Sequence, residues 1–293
     1  MKTLLVTGAT SFVGRHLLPV LAHEYDLTCL VRDPARLDFL PAARAIQADL
    51  ADPGFVDRLP ERADGILHMA VAAPSLSPQP AYAFQVTAAS TLGLLEWGKR
   101  VQVERFLFTS SGSVYAPQPA PITEEVPPRP SDLLGVSKYA AEMLAGLYRS
   151  HFPVVVLRIW RPYGPGQPDN FLIPRLAARI QAGEPITLFQ GGHPRANTIY
   201  VADLVEAMRR ALHLDQSATL NVAHAEAPSI EEMCRELEGI LGRPARYTHV
   251  DREAGDLVAD VSRMEQKLGF CATIALAEGL RRMWGMPDHG SSF

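Results

Sequence analysis

The sequence predicts an α/β protein built on a doubly wound parallel sheet. Three observations carry this: short apolar runs alternate with helix-like segments, those runs are continuously apolar rather than alternating in polarity, and a glycine-bearing turn joins the first strand to the first helix. The strand candidates are residues 3–6, 27–31, 44–48, 65–69, 105–109 and 154–159. A strand buried on both faces needs no polar alternation, so such runs belong in a parallel sheet covered by helices. Helical spacing lies between them, at residues 13–22, 82–100 and 133–149, and the first half reads strand, helix, strand. After Ile159 the texture changes. Arg161-Pro162-Tyr163-Gly164-Pro165-Gly166-Gln167-Pro168 is dense in turn formers and continues neither a helix nor a central strand, so the domain crossing is expected there. A helix is expected at 170–182, a second Gly/Pro-rich turn at 190–194, a helix at 199–212 and a strand at 219–222; from Ser229 onward helices mix with one short strand near 246–250. The expected division is residues 1–165 plus about 198–223 in a larger domain built on the sheet, and about 166–197 plus 224–293 in a smaller lobe.

Composition narrows the function. The 293 residues, 47% hydrophobic and 20% charged, suffice for a large core and are too apolar for a disordered chain. With 28 Lys+Arg against 32 Asp+Glu the formal charge is −4, so no basic field exists to hold nucleic acid or an anionic membrane, and a small molecule is the expected partner. The longest aliphatic stretch, about residues 154–157, falls far short of the roughly 20 residues that cross a bilayer, and no membrane segment or secretory signal is expected. Cys29, Cys234 and Cys271 are odd in number and scattered, without metal-ligand or disulfide spacing. No metal is expected, and a cytoplasmic location is.

The first strand runs into Thr7-Gly8-Ala9-Thr10-Ser11-Phe12-Val13-Gly14 and straight on into a helix. Small residues here let the backbone approach phosphate oxygens, while N–H groups and the positive end of the helix dipole face a pyrophosphate. A dinucleotide site is expected, lined by Gly8, Thr10, Ser11, Phe12, Val13 and Gly14; an ordinary tight turn is the structural alternative. The second strand ends at Val31-Arg32-Asp33. Arg32 lies eighteen residues past Gly14, near where an acidic side chain hydrogen-bonds the adenosine ribose of NAD, and an arginine there favours the 2′-phosphate of NADP. A solvated Arg32 with Asp33 on the ribose is the other reading. The expected cofactor is therefore NADP or NAD, with Arg32 favouring NADP.

On these residues the chain resembles the extended short-chain dehydrogenase/reductase family, the NAD(P)-dependent nucleotide-sugar epimerases and dehydratases, whose fingerprint is TGxxGxxG. Gly8 and Gly14 match its outer glycines, and Ser11 stands in place of the middle one. The resemblance implies a Rossmann-type sheet with a smaller C-terminal α/β substrate lobe. It also implies that Asp49 and Leu50 are the family's adenine-contacting pair, and that Met69, Ala70 and Val71, after His68, pass beneath the cofactor.

Phe108-Thr109-Ser110-Ser111-Gly112-Ser113-Val114-Tyr115 closes the fifth strand, at the carboxyl edge where open α/β folds bind ligands. It is similar to the family's SSxxVYG segment, which implies Ser111 as the catalytic hydroxyl and Ser111 and Ser113 beside the substrate; a serine-rich turn capping the strand is the alternative. Family members next show YxxxK on a helix, where the i, i+4 spacing stacks both side chains on one face and the lysine lowers the tyrosine pKa for proton transfer. Here Leu134-Gly135-Val136-Ser137-Lys138-Tyr139-Ala140-Ala141-Glu142 matches YGxSKxxxE except that Leu134 occupies the tyrosine position. The usual acid/base is absent, and Lys138 is implied as a catalytic residue that holds the nicotinamide ribose. Tyr139 lies about 140° further round the helix than Leu134 and points away; Tyr115, beside the serine turn, is the nearer candidate by sequence, although the family's tyrosine there packs rather than reacts, and the proton donor stays unassigned. Gly112 and Ser113 stand where dehydratases and decarboxylases of the family carry acids, a pattern closer to an epimerase or carbonyl reductase.

The segment from Leu157 to Gln167 resembles LRxxNxYGPGQ, the family's join into the substrate lobe, with Arg161 in place of the asparagine. Arg195 is close to the arginine of RxFIHVxD, and Arg252 lies near another family arginine that grips the substrate pyrophosphate. Together Arg161, Arg195 and Arg252 would make a diphosphate clamp, against the alternative of ordinary surface arginines. The implied activity is reversible hydride transfer at a carbinol or carbonyl carbon of a nucleotide-linked sugar, in a homodimer joined through the helices at 82–100 and 133–149. Two alternatives stay open: a non-catalytic NAD(P)-binding sensor or scaffold, and an enzyme that uses a substrate-borne acid or a non-redox step.

Overall fold

A computed structural model describes residues 1–72, 79–189, 192, 194–251 and 255–286. The elements run β1 (Lys2–Thr7), α1 (Phe12–Leu21), β2 (Tyr25–Val31), β3 (Arg44–Gln47), β4 (Gly65–His68), α2 (Pro80–Phe84), α3 (Ser90–Val101), β5 (Arg105–Ser111), α4 (Leu133–Gly146), β6 (Val154–Ile159), β7 (Pro162–Tyr163), α5 (Leu172–Ala182), β8 (Pro185–Phe189), β9 (Ile199–Tyr200), α6 (Val201–Ala211), β10 (Ala218–Val222), α7 (Ile230–Leu241), β11 (Arg246–Val250), α8 (Ser262–Leu268) and α9 (Leu276–Met283). They fall into two compact units. The first holds Met1–Ala116, Pro127–Ile159 and Val205–Leu220; the second holds Pro117–Val126, Trp160–Leu204 and the chain from Asn221 onward.

The first unit is organised by a seven-stranded sheet in the order β10-β6-β5-β4-β1-β2-β3, the doubly wound arrangement of the Rossmann fold. Its pairs β1–β2, β1–β4, β2–β3, β4–β5 and β5–β6 are parallel. Leu5 faces Ile66, Leu67 faces Leu107 and Phe108 faces Val156 across the ladders. Helices cover the sheet, so Leu4, Leu5 and Val6 are all buried, which is the physical reason the strand sequences do not alternate. On one side Leu94, Leu95 and Trp97 of α3 and Ala141 and Ala145 of α4 pack against Ile66, Phe106 and Phe108. The order β4, β1 at the middle of the sheet brings the carboxyl ends of β1, β4 and β5 side by side.

In the second unit β8 pairs parallel with β11, and β7 with β9. Asn221 is buried and donates to the carbonyls of Ile122 (2.8 Å) and Asp260 (3.2 Å), tying the segment Pro117–Val126 to the unit. Helix α7 begins with a capping box between Ser229 and Glu232, which satisfies two N–H groups at its start.

Three elements differ from the sequence reading. The helix expected over 82–100 is two helices, α2 and α3, joined by a π-helical turn at Gln85–Ala89. The hydroxyls of Ser90 and Thr91 donate back to the carbonyls of Val86 (2.6 Å) and Thr87 (2.7 Å) there. The helix expected from residue 199 starts at Val201, because Ile199 and Tyr200 pair with Pro162 and Tyr163. Strand β8 was not expected. Its signal is short but readable: in Pro185–Phe189 only Ile186 and Leu188 are buried, the alternation of a half-covered strand.

Candidate coenzyme and catalytic site

The turn after β1 is shaped for close approach. Gly8 has φ +75°, a region that favours glycine, and a Cβ on it would lie 2.7 Å from the Ala70 nitrogen and the Met69 carbonyl carbon. A Cβ on Gly14 would overlap the Ala9 carbonyl oxygen. Ser11, where the fingerprint has its middle glycine, has φ −72° and caps α1, its Oγ accepting from the Gly14 N–H at 3.1 Å. Serine therefore stands in an ordinary conformation and organises the turn. Helix geometry leaves the N–H groups of Phe12 and Val13 without intrahelical acceptors at the positive end of α1. Thr10 is partly buried on the same turn. A cradle closed to any Cβ, beside unsatisfied N–H groups, fits a pyrophosphate.

The neighbouring strand ends are linked to this turn. Thr7 Oγ1 lies 2.6 Å from His68 Nδ1 and accepts from the Ala70 N–H at 3.2 Å, and His68 Nε2 lies 2.9 Å from Thr91 Oγ1. His68 is wholly enclosed. Burial, and the positive charge of Lys138, lower its pKa to about 3, so the ring is neutral and serves as a brace. Met69 and Ala70 are buried and Val71 is exposed.

Beyond β2, Arg32 is exposed and its Nη1 donates to the Tyr82 phenol at 3.1 Å; that phenol donates to the Asp49 carboxylate at 3.1 Å. Asp49 also accepts from the Ala51 N–H at 2.9 Å, and Leu50 is buried. Asp33, the other reading for the ribose, caps a short helical turn at Pro34–Leu37 by accepting from the Ala35 N–H at 3.0 Å. The sequence reading did not find Tyr82. It is distant in sequence from both partners, and only the helix packed at this edge brings it between them.

At the end of β5, Ser111 Oγ accepts from the Ser113 N–H at 3.1 Å and caps the turn Gly112–Val114. Helix α4 lies on this turn so tightly that a Cβ on Gly135 would overlap the Ser113 carbonyl oxygen. Lys138 is 3% exposed. Its Nζ donates to the Thr109 carbonyl oxygen at 2.6 Å and sits 4.7 Å from the centre of the Phe108 ring. Burial lowers its pKa to about 7, opposed by the negative charge of Glu142. Glu142 in turn accepts from the Ser110 hydroxyl and pairs with Arg158 at 2.6 Å, and Arg158 donates to the Tyr115 phenol. Burial alone would lower the Arg158 pKa, but Glu142 outweighs it and the guanidinium is held above its ordinary range. Gly135, Lys138 and Glu142 thus form one face of α4 locked to the end of β5. Leu134 is partly buried, and the Ser137 hydroxyl is spent on the Leu133 carbonyl at 2.7 Å. Tyr115 is 2% exposed with its phenol oxygen bonded to Arg158, a placement that suits packing and not exchange of a proton with a substrate.

In the second unit, Arg161 has φ +35°, outside the ordinary range for a side-chain-bearing residue, and its Nη1 is buried without a hydrogen-bond partner among the described residues. Burial lowers its pKa. Arg195 is exposed and engaged, its Nε donating to the Ala227 carbonyl at 2.9 Å and its Nη2 lying 3.8 Å from Glu232. Arg252 lies outside the described residues, so the three-arginine clamp is not assembled from them. Among the described residues no helix is long and apolar enough to cross a membrane.

Known proteins share this architecture. The model of the NAD dependent epimerase/dehydratase family matches residues 4–223. GDP-6-deoxy-D-mannose reductase of Pseudomonas aeruginosa is 31% identical, over 96% of this chain and 95% of its own. The uncharacterized UDP-glucose epimerase YtcB of Bacillus subtilis is 29% identical, over 94% and 95%. Among solved structures, MoeE5 in complex with UDP-glucuronic acid and NAD superposes with a TM-score of 0.84 at 29% identity, covering 96% of this chain and 97% of that one.

Proposed function

The chain belongs to the NAD-dependent epimerase/dehydratase family, as an oxidoreductase-type enzyme of Rossmann fold, and we propose that its reaction is hydride transfer at a carbinol or carbonyl carbon of a nucleotide-linked sugar. One observation carries this reading. The carboxyl ends of β1, β4 and β5 are neighbours, and they present the glycine turn, the Met69-Ala70 segment and the Ser111 turn in that order, with Lys138 locked behind them.

Gly8, Thr10, Ser11, Phe12, Val13 and Gly14 would hold the coenzyme pyrophosphate, Asp49 and Leu50 the adenine, Met69, Ala70 and Val71 the underside, and Lys138 the nicotinamide ribose. The coenzyme supplies a hydride acceptor and donor. We assign Ser111 to the substrate oxygen, with Ser113 beside it, and Lys138 to electrostatic support of charge developing there. Leu134 brings no acid or base and Tyr115 is bonded to Arg158, so the proton that the carbinol oxygen gives up as its carbon loses hydride would pass by way of the Ser111 hydroxyl to solvent water, and return the same way in the reverse step. Arg161, Arg195 and Arg252 are proposed substrate contacts. Arg32, exposed and aligned through Tyr82 with Asp49, supports a preference for the 2′-phosphate of NADP.

We also propose a homodimer. Along α4 and at its C-cap the exposed Val136, Met143 and Leu147 recur at i, i+7 and i+11, away from the face locked to β5, and Leu92 of α3 and Phe84 of α2 are exposed as well. Leu147 is 73% exposed, an unusual position for a leucine that meets nothing.

The test is product analysis. Protein incubated with coenzyme and a panel of UDP-, dTDP- and GDP-sugars should yield an epimerised or reduced sugar by NMR, and Leu134→Tyr should raise the rate by about a hundredfold, the usual worth of a positioned acid. A panel returned unchanged by both proteins defeats the reading.

A further inference from the structure

Among the described residues three buried side-chain atoms lack a hydrogen-bond partner: Arg161 Nη1, Gln167 Oε1 and Arg281 Nε. Two of the three belong to one turn. That turn is held on several sides. Ile199 N–H donates to the Arg161 carbonyl at 3.4 Å, Pro162 and Tyr163 pair with Ile199 and Tyr200, and Gln167 donates to the Gly164 carbonyl through its backbone and to the Pro162 carbonyl at 2.7 Å through Nε2. Gly164, with φ +153°, packs so closely that a Cβ would lie 2.5 Å from Val201 Cγ1. The surroundings therefore over-determine the positive φ of Arg161, which is how strained residues persist at ligand sites.

The contrast with Arg158 on the preceding strand is informative. Arg158 is buried and answered by Glu142 and Tyr115. Arg161 is mostly buried and answered by no acidic side chain among the described residues. A desolvated guanidinium without a counter-ion is unfavourable unless an anion arrives from outside, and the planar fork of arginine matches a carboxylate or a phosphate. Gln167 decides between them. Its Nε2 is fixed on the Pro162 carbonyl, which leaves Oε1 as a buried acceptor in need of a donor. A diphosphate at neutral pH offers acceptors only. A carboxylate flanked by a ring hydroxyl offers an acceptor for Arg161 and a donor for Gln167.

We propose that Arg161 and Gln167 recognise the acid group and adjoining hydroxyl of a uronic acid, so that the protein takes a nucleotide-linked uronic acid in preference to the matching neutral sugar. This rests on the nucleotide-sugar reading above and deepens it.

The experiment is calorimetric titration of NAD-loaded protein with UDP-glucuronate, UDP-glucose and UDP, for wild type, Arg161→Met and Arg161→Lys. Coenzyme affinity serves as the control that each variant is folded. Wild type should bind the uronate at least about tenfold tighter than UDP-glucose, the scale of a hydrogen bond to a charged group. Arg161→Met should erase that difference and leave UDP and UDP-glucose within about twofold, and Arg161→Lys should retain part of it. In the protein without ligand, Arg161→Met should unfold at a temperature no lower than wild type, since it removes a buried charge that no side chain answers. Equal wild-type affinity for acid and neutral sugar overturns the inference, as does a variant that loses UDP, UDP-glucose and UDP-glucuronate alike, which would place the diphosphate on Arg161. A lower unfolding temperature for Arg161→Met makes the arginine structural and overturns it too. Protein that binds NAD but none of the three compounds defeats the nucleotide-sugar reading itself.

Discussion

Serine at position 11 and leucine at position 134 both depart from the family's pattern, and they differ in kind. Ser11 replaces a glycine at φ −72°, where any residue fits, and it caps α1. We expect Ser11→Gly to lower stability by only a few tenths of a kcal/mol and Ser11→Ala by about 1 kcal/mol, in urea unfolding. Gly14 has no such latitude. Gly14→Ala pushes a methyl into the Ala9 carbonyl, and should cost about 1–3 kcal/mol and at least about tenfold in NADH affinity by fluorescence titration. Leu134 is a chemical change, because a phenol and its proton are gone while the backbone is undisturbed. At Arg32 the matter is charge. Wild type should bind NADPH more tightly than NADH, and Arg32→Ala should reverse the ratio by about tenfold or more; equal affinities in the wild type would remove the role.

Helix α4 shows how much of an element is legible in its sequence. The spacing of Lys138 from Leu134 and the glycine at 135 were readable, and so was the helix itself, which the sequence reading carried to residue 149 against an end at Gly146. The ion pair was not. Glu142 and Arg158 were both quoted within their motifs, but nothing in spacing says that a helix and a strand sixteen residues apart will bury a carboxylate against a guanidinium, with Ser110 and Tyr115 closing the cluster. Such pairing is decided by tertiary packing. The same holds for Tyr82, and for the π-helical turn, which needs the local contest between backbone and hydroxyl to be seen in three dimensions. Glu142→Gln leaves Arg158 buried without the Glu142 charge that answers it, and we expect a loss of about 3–5 kcal/mol in urea unfolding, with coenzyme affinity falling as Lys138 loses its neighbour.

For the whole molecule, the buried His68 and Lys138 shape the dependence of stability on pH. His68 titrates near 3 in the folded chain and near 6.5 when unfolded, so the unfolded state binds the extra proton between those values. Its contribution is complete above about 6.5 and is lost as pH falls towards 3, with a slope of up to about 1.4 kcal/mol per unit. Comparing unfolding of wild type and His68→Gln across that window should isolate the slope; parallel curves would contradict it. Lys138 has the same sign at higher pH, its folded value of about 7 lying below the ordinary 10.5, so stability should rise across that interval and the rise should vanish in Lys138→Met. Light scattering at micromolar concentration should report a dimer, and Leu147→Glu a monomer of unchanged coenzyme affinity.

The arrangement of β1, β4 and β5 is proposed to serve a single event, the passage of a hydride between a sugar carbon and the coenzyme. Rapid mixing of protein saturated with oxidised coenzyme and a nucleotide-linked uronic acid follows that event directly, through the near-ultraviolet absorbance of reduced nicotinamide. We expect absorbance to appear within one turnover and to be lost in Ser111→Ala and Lys138→Met. Coenzyme and sugar both bound, with no reduced nicotinamide formed from either the acid or any neutral counterpart, would contradict the assigned reaction.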